Sequence, residues 1–148
     1  MKARTKARGI ALQALYEIEI SKHQSGLVLK NRFEEEELSE ELQDFCTRIV
    51  LGIIPICEEL DTIIAKYAPD WPFNQVANVD RNILRIAVWE LALADDTPLK
   101  VIINEAVELA KRFGSDSAPR FINGVLGSLV DHHNEVMQAI ISKHKEKE

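Results

Sequence analysis

Apolar residues recur near the start of the chain at the spacing of an amphipathic helix. Between Ala7 and Ile18 they fall at positions i, i+3, i+4, i+7, i+8 and i+11, which places them on one helical face. The pattern predicts a first helix over residues 4–22. A second apolar set lies on the opposite side of this helix and consists of Leu12, Tyr16 and Ile20. Either the rest of the protein or a binding partner is expected to cover this second face.

The same spacing continues through the rest of the chain, and no stretch longer than a few residues alternates as a strand does. It predicts a short helix over residues 27–33, one long helix over 38–67 that is kinked near Pro55, and a largely apolar helix over 79–93. The predicted fold class is therefore all-α, with about seven helices.

Two more helices are predicted from their end signals. Thr97 is expected to be the N-cap of one, with Pro98 at its first helical position and Gly114 just beyond its end. Ser117 and Pro119 are expected to open the other in the same way. Gly124 falls inside that last helix, where a glycine suggests the close approach of another helix.

The segment Ala68-Pro69-Asp70-Trp71-Pro72-Phe73 is the clearest break in the pattern and divides the chain nearly in half. We predict a single domain over residues 1–148, made of an amino-terminal bundle at 1–68 and a carboxyl-terminal bundle at 73–141. Residues 142–148 are expected to be a charged tail that frays.

Charge along the chain is unevenly distributed. The formal net charge is −6, so any binding to nucleic acid requires a local basic patch. The densest basic cluster is at the start of the chain and consists of Lys2, Arg4, Lys6 and Arg8, whereas residues 34–37 are four consecutive glutamates. Such a cluster is typical either of a solvated chain terminus or of a site for RNA phosphates.

Other sequence features exclude several classes of protein. No apolar run reaches the ~18 to 20 residues of a membrane span, and no cleavage site of a signal peptide follows the basic start. Cys46 and Cys57 have neither the spacing of a metal site nor that of a disulfide framework, which fits a cytoplasmic protein. Phosphate-binding loops, nucleophile motifs and metal-ligand spacings are absent as well, so no enzymatic activity and no cofactor are predicted.

Several polar and aromatic residues outside the first helix have two interpretations each. Arg85 is on a strongly apolar helix, where it either forms an ion pair or contacts RNA. Lys111 and Arg112 precede the Gly114 turn and suit the helix dipole, but together with Arg120 they extend the basic patch if this turn lies near helix 1. Phe121 is either a core residue or a stacking platform for an unpaired base.

Four segments together resemble the NusB family of transcription antitermination factors in order and spacing, across about residues 4–130. They are RGIALQALYE at 8–17, VDRNILRIAVWEL at 79–91, INEAVELAKRFG at 103–114 and FINGVL at 121–126. The resemblance implies two packed helical bundles that bind boxA-type single-stranded RNA together with the small-subunit ribosomal protein NusE, and so modify RNA polymerase for ribosomal RNA transcription. The chain departs from the family in its longer tail from Asp131 and in lysines or Thr5 where arginines are frequent.

The resemblance also implies roles for individual residues. It favours RNA binding by Lys2, Arg4, Lys6, Arg8, Arg85, Lys111, Arg112, Arg120 and Phe121. It favours contact with the ribosomal protein by Leu12, Tyr16 and Asp80, although the position of Asp80 in the first turn of its helix is also explained by the helix dipole. Two alternatives remain: a helical bundle that binds protein or forms a homodimer without RNA, and an accessory RNA-binding domain of a ribosomal-RNA methyltransferase.

Overall fold

A computed structural model describes residues 2–94 and 97–147, and the described residues form helices joined by turns and by one longer connection over residues 68–77. The helices are α1 (Ala3–Ser21), α2 (Ser25–Glu35), α3 (Glu40–Ile53), α4 (Cys57–Tyr67), α5 (Asn78–Leu93), α6 (Leu99–Phe113), α7 (Ala118–Val130) and α8 (His133–Glu146). If α3 and α4 are counted as the one kinked helix predicted over 38–67, the described part has seven helices. The all-α prediction is confirmed.

Proline accounts for the kink between α3 and α4. It removes a backbone donor and crowds the preceding turn, so the α-helical pattern gives way to a single 3-10 turn over Ile54–Ile56. The apolar stripe continues across this turn, because Ile53, Ile56 and Leu60 are all buried. The two helices therefore share one core face although their hydrogen bonding is interrupted.

Helices from both halves of the chain enclose one continuous core. Helix α1 packs against α2 and α3 of the first half and against α5 and α6 of the second half. Helix α5 contacts helices of both halves and is buried along most of its length. The predicted two helical bundles are therefore joined through α1 and α5.

The Gly114 turn after α6 is a place where backbone must come close to its neighbours. Gly114 is the residue that follows the last turn of α6, as predicted, and its backbone is extended rather than left-handed. A Cβ added there would lie 2.5 Å from the Cβ of Ala118 and 2.9 Å from Oδ1 of Asp80. Close packing between α6, α7 and the start of α5, not an unusual dihedral angle, is what requires glycine.

The structure corrects three details of the helix predictions. Pro98 rather than Thr97 is the N-cap of α6, because its extended backbone precedes the first helical residue, Leu99. The close neighbour of Gly124 is the indole ring of Trp71, which comes from the break between the two halves and not from another helix.

The third correction concerns the expected charged tail at 142–148. Residues 142–146 belong to α8, whose Val136 and Ile140 are buried, and whose principal neighbours are α4 and α5. Beyond the helix, the Lys147 ammonium lies 3.2 Å from the Glu59 carboxylate on α4. Glu148 lies outside the described residues.

Candidate nucleic-acid and partner interface

The four basic residues at the start of α1 lie on two different faces of the helix. Lys2 and Lys6 are one helical turn apart, as are Arg4 and Arg8, but the two pairs point in roughly opposite directions. Lys2 is exposed at the N-cap of α1, and the Lys6 side chain is 40% exposed. Arg4 is half-buried and Arg8 is only 2% exposed.

Arg8 forms a buried ion-pair network. Its Nε and Nη2 donate to the two carboxylate oxygens of Glu90 on α5 at 2.9 and 2.8 Å. Its Nη1 lies 3.7 Å from Glu105 on α6, whose carboxylate also accepts a 2.8 Å hydrogen bond from the Thr5 hydroxyl. The prediction that Arg8 binds RNA is therefore corrected: its guanidinium is enclosed and fully engaged in holding α1 to α5 and α6.

Arg4 lies one turn before Arg8 on the same face of α1, closer to the surface. Its guanidinium lies over the ring of Phe45 on α3, 4.4 Å from the ring centroid, and its Nη1 is 3.5 Å from the Thr97 hydroxyl. Arg8 approaches the same ring at 5.2 Å. Phe45 thus receives two cations, an arrangement that fixes the start of α1 against α3.

Arg85 is also an internal residue rather than a surface cation. Its guanidinium donates to both carboxylate oxygens of Asp61 on α4, at 2.7 and 2.6 Å, and to Glu19 on α1 at 3.1 Å. Burial alone would lower the pKa of Arg85, but the hydrogen bonds to Asp61 raise it above its ordinary value. Because the side chain is 3% exposed, the predicted RNA contact of Arg85 is corrected to the alternative, an ion pair between helices.

Glu19 completes this second network. It accepts hydrogen bonds from Arg85 and from the amides of Asn78 and Asn82 on α5. Burial would raise the pKa of Glu19, but the positive charge of Arg85 and these hydrogen bonds hold it below its ordinary value. The carboxylate is therefore ionised near neutral pH and bonded to α5.

A cationic groove opens on the other side of α1. It has a volume of about 360 Å³ and lies between the first turns of α1 and the end of α6. Its lining residues are Thr5, Lys6, Gly9, Ile10, Gln13, Glu36, Arg112 and Phe113. The Gly114 turn therefore lies near helix 1, and the structure brings Lys6 and Arg112, two of the predicted RNA-binding residues, to one groove.

Phe113 is a candidate functional residue that the sequence analysis overlooked. Its ring is 37% exposed and lies over Gly9 of α1, where an added Cβ would be in ordinary van der Waals contact at 3.5 Å. An accessible aromatic ring beside two cations is the arrangement by which proteins stack an unpaired base next to a bound phosphate. The sequence signal was its position directly after Lys111 and Arg112, but this position does not show whether the ring is exposed.

A second groove, which we name the tyrosine groove, adjoins the cationic groove. It has a volume of about 200 Å³ and is lined by Leu12, Gln13, Tyr16, Arg32, Val79 and Phe113. Gln13 and Phe113 belong to both grooves. Tyr16 is 42% exposed, whereas Leu12 is 1% exposed and contributes only to the floor of the groove. The predicted partner role of Leu12 is therefore limited to supporting Tyr16.

Asp80, the other predicted partner contact, is only 7% exposed. Its Oδ1 has no hydrogen-bond partner within residues 2–94 and 97–147, and burial raises the pKa of this carboxyl. It packs against the Gly114 turn. Direct access of a partner to Asp80 is thus restricted, and the burial of this side chain favours the alternative explanation of its position by the helix dipole over a partner contact.

The remaining predicted RNA-binding residues do not line the cationic groove. Lys111 is exposed and lies 3.4 Å from the Glu108 carboxylate one turn earlier. Arg120 is exposed on α7. Phe121 is half-buried and meets the Trp71 ring edge-on at a centroid distance of 5.7 Å, a packing that favours the core interpretation.

None of the helices within the described residues is both long and apolar enough to cross a membrane. Comparison with known proteins identifies the family of this chain. Residues 5–131 match the model of the NusB family. The transcription antitermination protein NusB of Roseiflexus sp. (strain RS-1) is 47% identical over 134 residues, which are 89% of this chain and 94% of the relative.

Two solved structures have the same fold. NusB of T. maritima has a TM-score of 0.81 and 29% identity, covering 93% of this chain and 99% of that chain. A complex of the antitermination factors NusB and NusE with dsRNA has a TM-score of 0.79 and 26% identity, covering 89% of this chain and 98% of that chain. The sequence match over most of the chain, together with this fold, shows that the chain belongs to the NusB family.

Proposed function

We propose that this protein is a transcription antitermination factor that binds boxA-type single-stranded RNA in the cationic groove and the ribosomal protein NusE in the tyrosine groove. The observation that carries the proposal is the junction of the two grooves. Lys6 and Arg112 line the cationic groove, Tyr16 and Val79 line the tyrosine groove, and Gln13 and Phe113 line both. RNA and protein bound there would be neighbours.

Family membership supports this function over the alternative of a methyltransferase accessory domain, because the relatives are transcription antitermination proteins. It likewise supports a non-enzymatic role. The complex of NusB and NusE with dsRNA supports both partners. We propose further that the protein acts in the bacterial cytoplasm, where nascent RNA is made.

The cationic groove is suited to RNA because it combines charge with an aromatic surface. Each phosphate neutralised by a lysine or arginine releases counterions, so the affinity depends on salt concentration. Phe113 offers a face on which a base stacks without regard to the sequence. Lys2, one turn before Lys6, and the exposed Lys111 and Arg120 lie outside the groove lining and would contact phosphates of a longer RNA.

The test is binding of a labelled boxA-type RNA, as a single strand and as a duplex, with and without NusE. The double variant K6A/R112A should bind the single strand at least roughly tenfold more weakly, and the slope of log affinity against log salt should become shallower by about 1.4, since two contacts are lost. The matched control is K30A/R48A, which removes two exposed charges from α2 and α3 outside the groove. Equal affinities of the two double variants would refute the groove assignment.

The partner half of the proposal is tested with Tyr16. The variant Y16A should weaken binding of NusE by about tenfold, the effect of losing an aromatic anchor at the centre of an interface, and leave RNA binding in the absence of NusE unchanged. L27A removes an exposed apolar side chain outside the groove and serves as the control. If Y16A binds NusE normally but converts a dimer to a monomer in light scattering, the homodimer alternative replaces the partner assignment.

A further inference from the structure

An acidic side chain of the protein lies inside the cationic groove. Glu36 follows the last residue of α2, and its carboxylate Oε2 is 3.6 Å from the Nζ of Lys6. Both side chains line the groove, together with Arg112. A carboxylate therefore occupies the neighbourhood of the lysine to which the proposed function assigns an RNA phosphate.

Glu36 is held there by the end of α2. The helix terminates because the backbone of Glu36 is extended, while its N–H still donates to the carbonyl of Arg32 at 3.0 Å. The Arg32 guanidinium in turn donates to Gln13 at 2.8 Å and to Glu17 at 3.1 Å, both on α1. The last turn of α2 is thus fixed to α1, and the position of Glu36 beside Lys6 follows from that attachment.

The ion pair itself is weak enough to be exchanged. The side chains of Lys6 and Glu36 are 40% and 44% exposed, and pairs in such surroundings contribute little to stability. A phosphate that arrives with further contacts in the groove therefore displaces the carboxylate. A phosphate that arrives without them gains little, because it must replace an existing anion and remain close to it.

We propose that Glu36 is a selectivity residue of the RNA site: it competes with phosphate for Lys6 and so lowers the affinity for any polyanion that makes no other contact in the groove. This inference rests on the proposed function. It also assigns a purpose to one member of the run of four glutamates at 34–37, of which Glu36 is the one that lines the groove.

The experiment measures the affinity of E36Q for two labelled single-stranded RNAs, a boxA-type sequence and a uridine homopolymer of equal length, over a range of salt concentrations. We expect E36Q to bind the uridine homopolymer about fivefold more tightly than the unchanged protein at low salt, and to bind the boxA-type RNA more tightly by a smaller factor, because the further contacts of that RNA already displace the carboxylate. An equal gain for both RNAs would contradict a role of Glu36 in selectivity. The slope of log affinity against log salt should become steeper by up to about 0.7, because Lys6 no longer exchanges one anion for another.

Two further variants show whether the effect acts through Lys6. E34Q changes the net charge equally and alters an exposed glutamate of α2 that does not line the groove, so its affinity should change less than about twofold. In a K6A background, E36Q should likewise have less than about a twofold effect, since the two residues are coupled.

The outcomes separate this inference from the proposed function. If K6A weakens RNA binding but E36Q has unchanged or reduced affinity, Glu36 is not a competitor and the inference is overturned while the RNA site stands. An equal gain in E34Q and E36Q also overturns it, because net charge alone would then explain the result. If the unchanged protein binds neither RNA, even with NusE present, the proposed function and the inference both fail.

Discussion

Arg4 and Arg8 lie on one side of the first turns of α1, and Lys2 and Lys6 lie on the other. The arginine side is closed by Phe45, Glu90 and Glu105, and the charge of Arg8 is neutralised inside the protein. The lysine side opens on the cationic groove. Cations at alternating positions of a helix therefore lie on two opposite faces. One face can form structural ion pairs, and the other is available for binding.

The chemistry of the two side chains fits this division. The planar guanidinium of Arg8 matches the two oxygens of Glu90, which a single ammonium group cannot do. The Lys6 ammonium is a compact charge on a flexible stem and readily exchanges Glu36 for a phosphate. Arginine is therefore suited to the closed side and lysine to the open side.

The largest expected effect comes from breaking the closed side. R8A should lower the free energy of unfolding by about 3–5 kcal/mol, because Glu90 would remain buried without its partner. Urea unfolding at pH 7 measures this loss. R8K keeps the charge but loses the bidentate hydrogen bonding to Glu90, so its loss of stability should lie between zero and that of R8A. The stability of K6A should stay within about 0.5 kcal/mol of that of the unchanged protein. A loss below about 1 kcal/mol for R8A would contradict the structural role.

The second network gives a smaller effect with a pH signature. E19Q should lower the free energy of unfolding at pH 7 by about 1–2 kcal/mol, since charge-assisted hydrogen bonds to Arg85 are weakened while Asp61 remains.

The sign of the pH dependence follows from the lowered pKa of Glu19. A carboxyl whose pKa is lower in the folded than in the unfolded protein adds stability above its unfolded pKa, and this stability is lost as the pH falls through the folded pKa. The difference between the unchanged protein and E19Q should therefore be constant near neutrality and shrink on acidification below about pH 4.5. Urea titrations between pH 7 and pH 3 measure it, and a difference that grows on acidification would contradict the assignment.

A matched pair of substitutions sharpens the comparison between the two sides. R4A should cost about 1 kcal/mol, because the guanidinium packs on the Phe45 ring, whereas K6A should cost less than half of that. Thermal unfolding of the two variants side by side measures the difference. Equal losses would mean that the two sides contribute alike to stability.

The smallest effect is expected at Asp80. Burial raises its pKa, so the carboxyl adds stability when protonated at low pH, and this contribution is lost as the pH rises through the folded pKa. D80N should therefore raise the free energy of unfolding at pH 7 by less than about 1 kcal/mol, offset in part by the lost interaction with the α5 dipole. The gain should disappear as the pH falls. Urea unfolding of D80N and the unchanged protein at pH 7 and at acidic pH tests this. A lower stability of D80N at pH 7 would contradict the prediction and indicate a hydrogen bond of the ionised carboxylate.

Most of the fold could be predicted because helix periodicity and turn residues are local. The stripe from Ala7 to Ile18, the kink at Pro55 and the end of α6 at Gly114 all follow from neighbours a few residues away. Helix α8 was not predicted, because only a few of its residues, Val136 and Ile140 among them, are buried apolar residues, and charged residues surround them in the sequence. Such a helix is stabilised by packing on α4 and α5, which the local pattern does not contain.

The candidate site was predicted less well, because each residue's role depends on partners far along the chain. The spacing of two residues between Arg4, Lys6 and Arg8 already places them on alternate sides of a helix, so the division of the basic cluster was available from the sequence. Which side of the helix stays open to solvent depends on the positions of Glu90 and Glu105 in the folded protein, and these positions could not be predicted from the sequence. Phe113 was missed for the same reason: its exposure results from the packing of α6 beside Gly9.

The separation in sequence between Arg8 and its partners has a consequence for synthesis of the protein. Glu90 lies 82 residues after Arg8, so at about 5–20 residues per second the ribosome needs roughly 4–16 s to supply it. During that interval Arg8 lacks the carboxylate that pairs with it in the folded protein. Both grooves need residues of α6 as well, so the nascent chain acquires its binding surfaces only when most of it has been made.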